Sequence, residues 1–123
     1  MAIKDKSVAV VGVSKREDKF GHKIFQDMLA AGYRVEGVNP QGGEIAGKQI
    51  FVSLKDIQPV PDLVISVVSP RVTEKIVDEC LELGIREIWM QPGSESEAAI
   101  QKARNRGIKV TRDSCFMVQT GIW

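Results

Sequence analysis

The residues of this chain best suited to chemistry lie near its start, where Gly12-Val13-Ser14 closes an apolar run and Lys15, Arg16, Lys19, Phe20 and Gly21 follow. A glycine permits close backbone approach to a ligand, a serine offers a hydroxyl, and clustered cations neutralise an anion. A helix starting near His22 adds unpaired N–H groups and the positive end of its dipole. The chemistry this combination suits is the holding of phosphate. His22, the one histidine, reads as a helix-start or phosphate contact. No Ser, Thr or Cys nucleophile has a base recognisable by spacing, and no His, Cys and carboxylate set has metal-ligand spacing. No catalytic residue and no metal site is therefore assigned. Of the two cysteines, Cys80 falls on the apolar face of a helix and reads as core, while Cys115 follows the last strand.

Phosphate chemistry needs a scaffold, and the hydrophobic pattern supplies one. Short apolar strands alternate with helix-period segments, the pattern of a parallel sheet with crossover helices. The pattern predicts strands at about 8–13, 34–38, 63–68, 87–90 and 109–111. Helices are expected at about 22–31, 70–83 and 95–106. Ile24, Phe25, Met28 and Leu29 share one face of the first helix; Val72, Ile76, Val77, Cys80 and Leu81 share one face of the second. Ser69 and Pro70 suit the N-cap and first position of the second helix, and Ser94 with Glu97 reads as a capping box for the third. Gly32, Gly84 and Gly107 each follow a helix, where a left-handed residue ends it. Between the second strand and Leu63 the texture changes: 39–47 is a turn-rich loop, 50–52 a short edge strand, and 53–57 one helical turn capped by Ser53. The segment 115–123 is apolar and is expected to dock on the sheet or a partner, and Trp89 to pack in its strand.

The fold class expected is α/β, a doubly wound, mostly parallel sheet of about five strands with helices on both faces, with residues 1–123 as one domain. In such a sheet a ligand sits beyond the carboxyl ends of the strands, where the strand order reverses. Seventeen basic residues against 16 acidic ones give a formal net charge of +1, so no global field recruits nucleic acid or an anionic membrane. No signal peptide or membrane-spanning stretch is legible, and a cytoplasmic protein is the expectation.

Dinucleotide enzymes place G-x-G-x-x-G at the first strand exit and an acid at the end of the second strand. Here the first exit has Gly12 alone until Gly21, and the second strand ends Val38-Asn39-Pro40. These departures disfavour NAD.

Taken in order, Gly12-Val13-Ser14, the basic loop closing on Phe20-Gly21, Val38-Asn39-Pro40, Ser66-Val67-Val68-Ser69-Pro70, Gln91-Pro92-Gly93 and Asp113-Ser114-Cys115 resemble the small stand-alone CoA-binding domain proteins. These are similar to the N-terminal CoA-binding domain of the succinyl-CoA synthetase α subunit, and the resemblance covers the whole chain. It implies a Rossmann-like fold and coenzyme A, or an acyl-CoA, as the bound cofactor. It implies that Gly12, Val13 and Ser14 cradle the phosphates, that Lys15, Arg16 or Lys19 neutralise them, and that Phe20 closes that loop. Asn39 and Pro40 would line the adenosine side, Val67, Val68, Ser69 and Pro70 the pantetheine arm, and Gln91 and Gly93 its thiol end. Cys115 is then either a structural thiol or one that forms a mixed disulfide with CoA under oxidation. The histidine phosphorylated in those synthetases belongs to a following domain without counterpart here, so the expectation is a binding module without catalysis of its own. Two alternatives stand beside it: an NAD(P)-dependent oxidoreductase with a divergent phosphate loop, and a CoA- or redox-responsive regulatory module read by an unidentified protein partner.

Overall fold

Residues 2–123 are described by a computed structural model. In chain order the elements are β1 (Ser7–Val11), α1 (Phe20–Ala30), β2 (Arg34–Val38), a hairpin of β3 (Glu44–Ile45) and β4 (Lys48–Gln49), then β5 (Leu63–Ser66), α2 (Pro70–Leu83), β6 (Glu87–Met90), α3 (Glu97–Asn105), β7 (Lys109–Thr111) and α4 (Phe116–Gln119). The five longer strands form one sheet in the order β2-β1-β5-β6-β7, and every neighbouring pair is parallel. From β1 the chain goes out to β2, then returns to β5 on the other side of β1, so the strand order reverses between β1 and β5.

Alternation of side chains along the buried strands builds two cores. Val8, Val10, Leu63, Ile65 and Trp89 face α1 and α4, meeting Ile24, Phe25, Met28, Phe116 and Met117. Ala9, Val11, Val64, Ile88 and Met90 face α2 and α3, meeting Ile76, Val77, Cys80, Ile100 and Ala103. Cys80 is fully buried, and desolvation, with Glu79 adding to it, pushes its thiol up to about 12; it is the core residue its helical spacing predicts. Trp89 packs edge-on against Phe116 at 5.1 Å and donates its indole N–H to the Ser114 carbonyl at 2.8 Å.

Several boundaries differ from expectation, each for a local reason. The strand expected to reach Val13 stops at Val11, because Gly12 turns to φ +106° and the N–H groups of Gly12 and Val13 both donate to the Val38 carbonyl, at 3.0 and 3.4 Å. The strand expected to reach Val68 stops at Ser66, and the Val68 N–H leaves the ladder for Ser94 Oγ at 3.0 Å. Ser94, turned inward for that bond, is not the cap of α3; Ser96 is, accepting from the Ala99 N–H at 3.2 Å. Ser53 and Ser69 stand at the cap positions expected but make no side-chain cap bond. The edge strand expected at 50–52 reduces to one bridge, Phe51 beside Val38, with β3 and β4 ahead of it. α1 begins at Phe20, not His22. Gly32, Gly84 and Gly107 take φ of +86°, +75° and +87° as expected. Among the described residues no helix is long and apolar enough to cross a membrane.

Candidate functional site

Strand register sets the site. Val11 pairs with Val38 on one side and Ser66 on the other, and Ser66 pairs with Met90. The next residues, Asn39, Gly12, Val67 and Gln91, therefore stand in that order along one edge of the sheet, astride the reversal between β1 and β5. This is the crevice where open parallel sheets bind ligands.

The exit of β1 is tied tightly to its neighbours. A Cβ on Gly12 would run into the Val67 carbonyl and come within 2.8 Å of Val68 Cγ1, and one on Gly21 would run into the Gly12 carbonyl. Gly21 thus performs the close helix–strand packing that the third glycine of a dinucleotide fingerprint performs. The absence of a side chain at Gly12 lets the Val67 carbonyl pack closely against it. The N–H groups of Gly12 and Val13 are both committed to the Val38 carbonyl. In this loop the N–H groups with no acceptor among the described residues are those of Ser14, Lys15, Glu17 and Asp18, together with Phe20 and Gly21 in the first turn of α1. Ser14 Oγ accepts from the Arg16 N–H at 3.1 Å. The Ser14 carbonyl accepts from His22 Nδ1 at 2.7 Å, which fixes the proton on Nδ1 and makes His22 a brace of this loop.

The three cations are not equivalent. Arg16 pairs with Asp18 at 3.1 Å. Lys15 and Lys19 have no carboxylate partner among the described residues. Lys15 lays its stem across Gly43, where a Cβ would block it, so its cation lies between the β1 exit and the 39–43 loop. Asn39 is a brace as well. Its amide donates to the Val13 carbonyl at 2.7 Å and its carbonyl accepts from the Gln41 N–H at 2.7 Å.

Two hollows meet at Val67. One, a shallow groove of about 420 Å³, is lined by Gly12, Val13, Asn39, Pro40, Gln41, Val67, Val68, Ser69 and Val72. The other, a deeper cleft of about 240 Å³, is lined by Phe20, Ile24, Val67, Gln91, Pro92, Cys115 and Trp123. Pro70 opens α2 one residue beyond the groove. Gly93 lines neither hollow, and its N–H goes to Glu95 at 2.8 Å. Burial opposes the Glu95 charge, but N–H groups of Glu95, Gly93 and Asp113 and the Arg112 cation outweigh it and hold the carboxyl below its ordinary range. A larger hollow of about 620 Å³ lies between Lys4, Asp27, Tyr33 and Ile122, away from the strand exits.

Sequence reasoning missed Gln41, Val72, Pro92 and the wall residues Ile24 and Trp123. Val72 and Ile24 both carry helical-period spacing and read as core. Ile24 is core on one side, whereas Val72, in the first turn of α2, is 38% exposed and overhangs the groove while Thr73 takes the buried place. Of the segment 115–123, expected to dock on the sheet or a partner, Phe116 and Met117 pack into the core beside β1 and β5, whereas Trp123 lies against α1, with Nε1 donating to Asp27 at 2.7 Å and its ring 6.2 Å from Phe20.

Comparison with known proteins decides the family. The family described as "CoA binding domain" matches residues 6–121. The chain belongs to it. Its relatives include the uncharacterized protein YneT of Bacillus subtilis, 33% identical over 94% of this chain and 85% of that one. A conserved hypothetical protein of Pyrococcus furiosus has the same fold, with a TM-score of 0.88 at 33% identity over 93% of this chain and 98% of that one. The ADP-forming acetate–CoA ligase of Methanocaldococcus jannaschii is 30% identical over 82% of this chain, which spans 14% of the ligase. The family and the α/β fold expected from the sequence are thereby shown.

Proposed function

We propose that residues 1–123 act as one domain that binds coenzyme A or an acyl-CoA across the β1/β5 crevice, as a module without catalysis of its own. The observation that carries this reading is that two unlike hollows share Val67 as a lining residue at the point of strand reversal. CoA has the same asymmetry: a phosphorylated nucleotide at one end and a neutral, flexible arm at the other. The free N–H groups of Ser14, Lys15, Phe20 and Gly21, with Lys15 and Lys19, suit the phosphates. Pro40 and Gln41 border the adenosine end, and Val67, Val68 and Ser69 the arm, whose thiol then points toward Gln91.

On this reading Cys115, partly exposed on the cleft wall with Sγ 3.3 Å from Gln91 Nε2, exchanges with CoA disulfide. Its sulfur, having given up its proton to solvent, attacks one sulfur of the disulfide, the new S–S bond forms, and one CoA thiol departs.

Calorimetric titration with CoA, dephospho-CoA and pantetheine tests the binding mode. The double variant Lys15→Ala, Lys19→Ala is expected to lose about tenfold or more in affinity for CoA, less for dephospho-CoA, and little for pantetheine. Equal losses for all three ligands contradict it.

A further inference from the structure

We propose that the open edge of the sheet at β7 is a docking site for an extended acidic segment of a protein partner, which adds beside β7 as a sixth strand with its carboxylates on Arg104 and Arg106. The two edges of the sheet are finished differently. At β2 the Gly37 carbonyl accepts from the Phe51 N–H at 2.9 Å, the Asn39 N–H donates to the Phe51 carbonyl at 2.9 Å, and Lys48 Nζ donates to the Val35 carbonyl at 2.9 Å. That edge is sealed by the chain itself. At β7, Lys109 and Thr111 turn their backbone groups toward β6, the Lys109 N–H reaching the Arg86 carbonyl at 2.9 Å, so those of Val110 point away from the sheet. Among the described residues the N–H groups of Val110 and Arg112 have no acceptor. The Val110 carbonyl has only Arg104 Nη2 at 3.5 Å, too long for a firm bond. Unpaired backbone groups along an edge are a template for another strand.

Charge says what that strand carries. Residues 98–112 hold five cations, Lys102, Arg104, Arg106, Lys109 and Arg112, and no acid, in a chain whose formal net charge is +1. Lys102 pairs with Asp78, Lys109 lies 3.7 Å from Glu87, and Arg112 pairs with Glu97 at 2.8 Å and Asp113 at 3.0 Å. Arg104 and Arg106, with Arg86 immediately before β6, have no carboxylate partner among the described residues. Arg86 and Arg106 also line, with Leu81, Ile85 and Ile108, a hollow of about 230 Å³ at the foot of β7. It receives an apolar side chain of the segment beside the carboxylates that meet the guanidinium groups.

The same charges disfavour two other occupants. A second copy of this chain, pairing β7 with β7, brings the cations of both edges together, and like charges repel. A nucleic-acid strand that follows the edge brings phosphates to Glu97 and Asp113 beside Arg112, both of them well exposed. A peptide carries acids at one end of the edge and neutral residues at the other.

An amide-resolved NMR titration with the synthetic peptide acetyl-Glu-Val-Glu-Val-Glu-amide tests the proposal, with acetyl-Lys-Val-Lys-Val-Lys-amide and a short oligothymidylate as comparisons. The Glu-Val peptide is expected to shift the Val110 and Arg112 N–H resonances, to slow their exchange with solvent by about tenfold at saturation, and to bind more weakly as salt rises. The exposed double variant Arg104→Glu, Arg106→Glu is expected to lose about tenfold in affinity for it. Val110→Pro, which removes the outward N–H at an edge position that tolerates proline, is expected to weaken it as well. No response at Val110 and Arg112 to the Glu-Val peptide, an equal response to the Lys-Val peptide, or an affinity unmoved by the double charge reversal overturns the proposal. Tighter binding of the oligothymidylate at the same residues overturns it in favour of a nucleic acid.

Discussion

The two cysteines show how one residue type takes opposite roles from its surroundings. Cys80 sits between α2 and the sheet, where burial holds it as a thiol with a pKa near 12; a group raised in the folded state resists becoming the thiolate that reacts. Cys115 lies on the cleft wall, partly exposed. Treatment of the folded protein with CoA disulfide is therefore expected to add one CoA by intact mass, and the addition to vanish in Cys115→Ser but persist in Cys80→Ala. An unmodified native chain, or modification that survives Cys115→Ser, sinks the exchange. Both cysteines are legible in the sequence as types, but only the register that ends β6 at Met90 and turns Gln91 toward Cys115 gives the second its neighbour.

At the scale of elements, the meeting of β1, β5 and α1 depends on two glycines with no room for a side chain. Gly21→Ala drives a methyl into the Gly12 carbonyl, and Gly12→Ala drives one into Val67 and adds a left-handed φ. Both are expected to lower stability by more than about 1 kcal/mol in chemical denaturation, and with it CoA affinity; a stability within error of native contradicts this packing. The elements themselves were largely legible, because buried parallel strands read as unbroken apolar runs and the helices carry clean periodicity. The β3/β4 hairpin and α4 were not. Two-residue strands bury too little to leave a pattern, and Phe116 and Met117 lie in an apolar segment too short to show a period. Caps misled where two serines competed: Ser94 and Ser96 both precede α3, and the demand of the Val68 N–H takes the first of them out of capping.

Across the whole molecule, the doubly wound order places every strand exit that carries a site residue on one edge, with the basic loop of β1–α1 at one side of Val67 and the apolar cleft at the other. That arrangement results from the order β2-β1-β5-β6-β7, and the near-neutral charge of the chain means that any anion is held by this local geometry rather than by a global field. The family relation to ADP-forming acetate–CoA ligases, of which this chain spans a small fraction, fits a domain whose contribution is the binding of CoA. The most direct measurement is an amide-resolved NMR titration of the native chain with CoA, and with NAD as the control. Saturable shifts with CoA at the N–H groups of Ser14, Lys15, Phe20 and Gly21 and at the Gln91 side chain, absent with NAD, are the predicted result. Shifts confined to the hollow beside Tyr33 and Ile122, or a response to NAD alone, would contradict the account.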